Sequence, residues 1–163
     1  WLTGTWLLNM AFAVAAMRRQ SSAIVTGLGD QIQPAPRQNT IHLVLILPPL
    51  HCPTGQVYQA FDALQSPSDV DEDRVQILAE LDPLPIVGLF NDLAEAATQV
   101  EPKLKETIVQ LQEQLDRPVH ITGSGAAMFI LTSSKNASKV LADNINATTD
   151  LPAVATSTLS DFG

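Results

Sequence analysis

The run Ile41-His42-Leu43-Val44-Leu45-Ile46-Leu47, stopped by Pro48-Pro49, constrains this chain more than any other feature. It lacks alternation of apolar and polar residues and is too short for a core helix, so it reads as a central strand buried on both faces. Such a strand needs paired edges and packed layers around it. The chain has 163 residues, 45% of them hydrophobic, and a mean hydropathy of +0.13, which is enough apolar material for one compact domain.

Residues 22–25 form a short strand candidate before a Gly27-Leu28-Gly29-Asp30 turn and a Pro34-Ala35-Pro36 linker, which sets a boundary near residue 40. Beyond the central strand, Thr54 is placed to cap a helix to about Leu64, with Val57, Ala60, Phe61 and Leu64 on one face. Residues 66–73 are polar and acidic and read as a loop. Asn91 or Asp92 starts a second helix through Val100. Pro102 suits the first turn of a third helix, which reaches about Leu115 and buries Leu104, Ile108, Leu111 and Leu115. Residues 119–122 and 127–131 read as strands joined by a glycine turn, residues 134–144 as a helix and residues 153–158 as a closing strand. From residue 41 the order is strand, helices, strand, strand, helix, strand. That is an α+β class, the ferredoxin-like split β-α-β arrangement with helices inserted before the second strand.

The charge balance removes whole classes of partner. Nine Lys and Arg against 17 Asp and Glu leave a formal net charge of -8, which repels phosphodiester backbones, so no nucleic-acid partner is expected. Cys52 is the single cysteine, which excludes an internal disulfide and a multi-cysteine metal site and fits a packed thiol in a reducing cytoplasm. His42, His51 and His120 lack ligand spacing, so no metal site is assigned. Residues 1–17 are almost wholly apolar and precede Arg18-Arg19, the reverse of a secretory signal, and about 17 residues is at the short limit for a membrane helix. A helix separated from its packing neighbours is the expectation there, with no membrane partner. The absence of Met at position 1 adds the expectation of a fragment or a frame-disrupted product.

Two segments carry possible chemistry. In Thr122-Gly123-Ser124-Gly125-Ala126, glycines on both sides of a serine let the backbone turn sharply and leave N–H groups unshielded. An anion-contacting loop and a plain tight hairpin both fit. Rossmann and Walker loops do not, because a strand rather than a helix follows and no Lys-Ser or Lys-Thr is present. In Pro53-Thr54-Gly55-Gln56-Val57-Tyr58, one helical turn brings Thr54 and Tyr58 to the same side, where a hydroxyl and a flat ring could hold a base. On these residues alone the plainer reading, in which Tyr58 packs and Thr54 caps, is preferred. His51 and Cys52 point opposite ways in an extended segment and are discounted as a nucleophilic pair. Gly27-Leu28-Gly29-Asp30 reads as a turn, Asn91-Asp92 as a helix cap, and Asp69, Asp71, Glu72 and Asp73 as a solvated loop rather than a magnesium site.

Taken in order, four segments resemble the C-terminal part of the 4-diphosphocytidyl-2-C-methyl-D-erythritol kinases, within the GHMP kinase superfamily. They are residues 43–58 with their Pro-rich turn and a Thr four residues before an aromatic, Asn91-Asp92-Leu93, the Thr122 to Ala126 glycine motif, and the weaker Thr26-Gly27-Leu28-Gly29-Asp30-Gln31-Ile32. The resemblance covers residues 18–159. It implies an ATP-dependent kinase that phosphorylates the 2-hydroxyl of a cytidine diphosphate-linked methylerythritol, a step of isoprenoid precursor synthesis. It further implies that Tyr58 stacks on the cytosine and that Thr54 lies beside the substrate. Gly123, Ser124, Gly125 and Ala126 would support the phosphate-binding region.

ATP and Mg2+ are expected for the intact family enzyme and neither for this chain alone. The family's Gly-rich ATP loop and early lysine have no counterpart here, and its proton-accepting aspartate falls near Phe12, in Ala11-Phe12-Ala13-Val14. The expected organisation is therefore an unmatched apolar segment at 1–17, a remnant of a preceding domain and linker at 18–40, and a GHMP C-terminal domain at 41–163, inactive without an N-terminal half. Another GHMP small-molecule kinase and a non-catalytic ferredoxin-like ligand-binding module are the alternatives.

Overall fold

The structure, a computed structural model, describes residues 23–26, 31–35, 39–64, 72–82, 84 and 88–158. Two compact units stand where composition alone suggests one. The first comprises Trp1–Thr40, Val70–Pro85 and Thr158–Gly163, the second Ile41–Asp69 and Ile86–Ser157. The apolar 1–17 segment, the Gly27 to Asp30 turn and residues 66–71 of the acidic loop lie outside the described residues.

In the first unit, β1 (Ala23–Thr26) pairs antiparallel with β2 (Gln31–Pro34), with Val25 opposite Ile32. The helix α2 (Glu72–Glu80) belongs to the same unit. Both β2 and α2 differ from expectation. Pro34 ends β2 where a linker was expected, a position that proline tolerates because it closes the strand. Helix α2 begins inside the expected acidic loop; its apolar residues are nowhere fully buried, Val75, Leu78 and Ala79 being half-buried and Ile77 exposed. A Gln76 to Glu80 side-chain hydrogen bond of 2.7 Å supports it locally instead.

The second unit is built on β3 (His42–Ile46), central as expected but fully buried on one face only, since Val44 and Ile46 are buried whereas Leu43 and Leu45 are half-buried. It pairs antiparallel with β5 (Met128–Thr132) on one side and β6 (Ala153–Ser157) on the other, and β4 (His120–Ile121) extends the sheet beyond β5, giving the order β4-β5-β3-β6. The register sets Val44 opposite Ile130 and Ile46 opposite Met128, and these four residues, together with Ile121, are buried. Alternation of side chains across a strand puts them on one face.

Helices α1 (Thr54–Ala63), α3 (Leu93–Val100), α4 (Pro102–Leu115) and α5 (Lys135–Thr148) contribute Val57, Ala96, Ala97, Leu104, Leu111, Ala142 and Ile145 to the same core cluster. Their boundaries have local causes. Pro102 occupies the first turn of α4, where its missing N–H is harmless, while Glu101 accepts from Lys103 N at 3.3 Å. Asp116 ends α4 in the left-handed region. Ser134 caps α5 by accepting from Ala137 N at 3.1 Å. This helix runs four residues past the expected Asn144, because Thr149 N and Oγ1 both bond the Ile145 carbonyl and satisfy its last turn. Asn146 then takes both backbone groups of Ala153, accepting at 2.9 Å and donating at 2.8 Å, which aims the chain into β6.

Candidate functional site

The glycine motif forms the connection between β4 and β5. Thr122 N donates to Ala127 O at 3.0 Å and Gly125 N to Thr122 O at 3.1 Å, so a tight turn is folded on itself. Gly123 has φ +56 and Gly125 φ +82, a region that side-chain-bearing residues rarely adopt. A Cβ at Gly125 would lie 3.4 Å from each of Cys52 Sγ, Ile121 Cγ2 and Leu104 Cδ2. The loop therefore rests on an apolar floor drawn from β4, α4 and the segment before α1.

Thr54 meets this loop. Its Oγ1 lies 3.0 Å from Ser124 Oγ, across 70 positions of sequence, and either hydroxyl can donate. The expected capping role is thereby corrected: Thr54 is the first residue of α1, Pro53 stands at the N-cap, and no side-chain cap bond is present. A capping oxygen must come from the extended residue before the helix. One position further in, the hydroxyl is free to reach the loop. Tyr58 sits one turn later on α1, half-buried, beside the fully buried Val57. The residues brought into contact are thus Thr54 and Ser124, with Tyr58 one helical turn from that pair.

Asn91 is the residue that sequence reasoning undervalued. Its Oδ1 accepts from Leu93 N at 3.1 Å, the expected helix-starting bond, yet its Nδ2 also donates to Ile121 O at 3.0 Å and to Gly123 O at 2.8 Å. The available signal was the amide itself. Asn carries donors and an acceptor on one group, whereas the neighbouring Asp92 offers only acceptors and makes no cap bond.

A cleft of about 560 Å3 opens beside β4, lined by Asn91, Glu95, Lys105, His120 and Phe129 among others. The His120 and Phe129 rings stack in it with centroids 5.3 Å apart. Neither Thr54, Tyr58 nor residues 123–126 line it. Among the described residues no three His, Cys, Asp or Glu side chains gather as a metal site. Nor is any helix among them long and apolar enough to cross a membrane.

Cys52 is buried, as a packed thiol should be, and burial pushes its pKa up, with the Glu101 carboxylate adding to the effect. Alkylation by iodoacetamide at mildly alkaline pH is therefore expected to be slower in the native chain than in denaturant. Equal rates would show that the thiol is open. A folded thiol that holds its proton to higher pH than an unfolded one contributes stability that is complete below the ordinary thiol range. That contribution is lost as pH rises through the folded value.

No family model matches the chain. Curated relatives do. A 4-diphosphocytidyl-2-C-methyl-D-erythritol kinase of Caulobacter vibrioides is 32% identical over 136 residues, covering 80% of this chain and 47% of the relative. Another of that name, from Pseudarthrobacter chlorophenolicus, is 28% identical over 134 residues, covering 76% of this chain and 42% of the relative. The crystal structure of a 4-(cytidine 5'-diphospho)-2C-methyl-D-erythritol kinase superposes with a TM-score of 0.62 at 26% identity, over 83% of this chain and 48% of that one. The chain thus spans about half the length of the relatives it matches.

Proposed function

We propose, from the premise that this chain is homologous to about half of a 4-diphosphocytidyl-2-C-methyl-D-erythritol kinase, that it is the substrate-recognising C-terminal portion of such an enzyme. The reaction of the whole enzyme is then ATP-dependent phosphorylation of the 2-hydroxyl of 4-diphosphocytidyl-2-C-methyl-D-erythritol, in the non-mevalonate route to isoprenoids. In this reading Tyr58 stacks on the cytosine, Thr54 lies beside the substrate, and Gly123, Ser124, Gly125 and Ala126 support the phosphate region. The observation that carries it is the 3.0 Å Thr54 to Ser124 contact, which joins the start of the base-holding helix to the glycine loop.

Phosphoryl transfer needs charge neutralisation, alignment and a group that takes the hydroxyl proton. The share of this chain is alignment. ATP brings the phosphoryl group and Mg2+ its charge compensation in the family, and no group of metal ligands among the described residues is assigned to that ion. Purified chain supplied with ATP, Mg2+ and the cytidylyl substrate is expected to give no phosphorylated product.

We also read the second unit as a ferredoxin-like split β-α-β with inserted helices. Its antiparallel order supports this, since its first and third strands, β3 and β5, lie side by side at the centre while β4 and β6 form the edges. The start of that unit at Ile41 supports a boundary at residue 40, and with it the assignment of residues 18–40 to the end of a preceding domain and its linker, although Val70–Pro85 and Thr158–Gly163 of the expected 41–163 domain group with Trp1–Thr40.

Cytidine 5'-diphosphate titrated into the full chain tests recognition by calorimetry. Binding that weakens by about tenfold or more in Tyr58→Ala, as loss of one base-stacking ring predicts, supports the assignment. Unchanged affinity in that variant, or no binding by the parent chain, would sink it.

A further inference from the structure

Asn91 makes more hydrogen bonds than a helix cap requires, and their directions have a consequence. In a planar trans peptide the carbonyl and the following N–H point to opposite sides. The Ile121 carbonyl is taken by Asn91, and the N–H of the same peptide, on Thr122, faces the other way to Ala127 O at 3.0 Å. The Gly123 carbonyl is also taken by Asn91, at 2.8 Å, so the Ser124 N–H is directed away from Asn91. That N–H enters no hydrogen bond among the described residues. The left-handed φ of Gly123 makes the turn between these two peptides available.

We infer that Asn91 is a positioning residue for the glycine loop: by holding the Ile121 and Gly123 carbonyls it presents the Ser124 N–H outward as a donor to a bound anion. The ligand in this inference, the diphosphate of a cytidine nucleotide, rests on the reading above; the hold on the loop does not. A neutral amide suits the task, because each carbonyl needs a donor, and the third contact of the same side chain, to Leu93 N, anchors it to the start of α3.

Two variants separate loop positioning from helix capping. Asn91→Asp keeps an acceptor for Leu93 N and loses both donors to the loop, facing two carbonyls with a carboxylate. Asn91→Ala loses all three bonds. Amide hydrogen exchange in the full chain is expected to accelerate about tenfold at Thr122 and Gly125 in both variants, the equivalent of about one lost hydrogen bond. The amides of α3 should accelerate only in Asn91→Ala. Cytidine 5'-diphosphate affinity should fall about tenfold in both.

Wild-type exchange at Thr122 and Gly125 in Asn91→Asp would overturn the inference and leave Asn91 a cap. A loosened loop with unchanged cytidine 5'-diphosphate affinity would overturn the donor role of Ser124 N–H. If the parent chain does not bind the nucleotide, the functional reading falls, while the exchange data still decide whether Asn91 holds the loop.

Discussion

Leu104→Ala is expected to destabilise the four-stranded unit by about 2–5 kcal/mol, a large share of the roughly 5–15 kcal/mol that holds a domain together. Leu104 is completely buried on α4 and belongs to the core cluster that joins the helices to β3, β4 and β5. Truncation removes the transfer free energy of its side chain and leaves a cavity, because the sheet on one side and α4 on the other are held by their own hydrogen bonds and close in only partly. The effect should reach the site as well, since Leu104 Cδ2 lies under Gly125. Urea unfolding followed by circular dichroism would show a lower midpoint with an unchanged slope. A loss below about 1 kcal/mol would mean that this face of α4 is not the floor of the loop.

The second large effect separates two glycines of one motif. Gly125→Val is expected to destabilise by about 2–4 kcal/mol, while Gly123→Asn should change stability by less than about 1 kcal/mol. Gly125 combines φ +82 with neighbours already at contact distance from an added Cβ. A β-branched residue there meets both backbone strain and the crowding of Cys52, Ile121 and Leu104. Gly123 has nothing within 4 Å of an added Cβ, and its φ of +56 lies in the left-handed region that asparagine tolerates. Similar losses for the two variants, measured by the same unfolding curves, would contradict the packing described for Gly125.

Short-range forces are written in the sequence of this chain, and long-range ones are not. The apolar run ended by Pro48-Pro49 became β3, and Pro102 with the spacing of Leu104 and Leu111 became α4, because periodicity and the missing proline N–H act within a few residues. The same local logic failed for α2 and β2. Their described residues are mostly exposed and none is fully buried, so little burial pattern distinguishes helix or strand from loop there.

The site shows the boundary most clearly. Its parts were legible by themselves: a glycine loop, a threonine one turn before a tyrosine, and an asparagine at a helix start. What they do to one another was not. Thr54 and a cap bond look equivalent in sequence, yet its hydroxyl bonds Ser124, 70 positions away. Asn91 reads as a cap, yet it spends two donors on carbonyls 30 and 32 positions on. The sequence by itself determined the strands of the four-stranded unit, its principal helices and the glycine turn, since these follow from backbone sterics and local burial patterns. Only the tertiary structure decided which polar groups meet, because a hydrogen bond needs its partners within about 3 Å, and long-range packing alone brings them there.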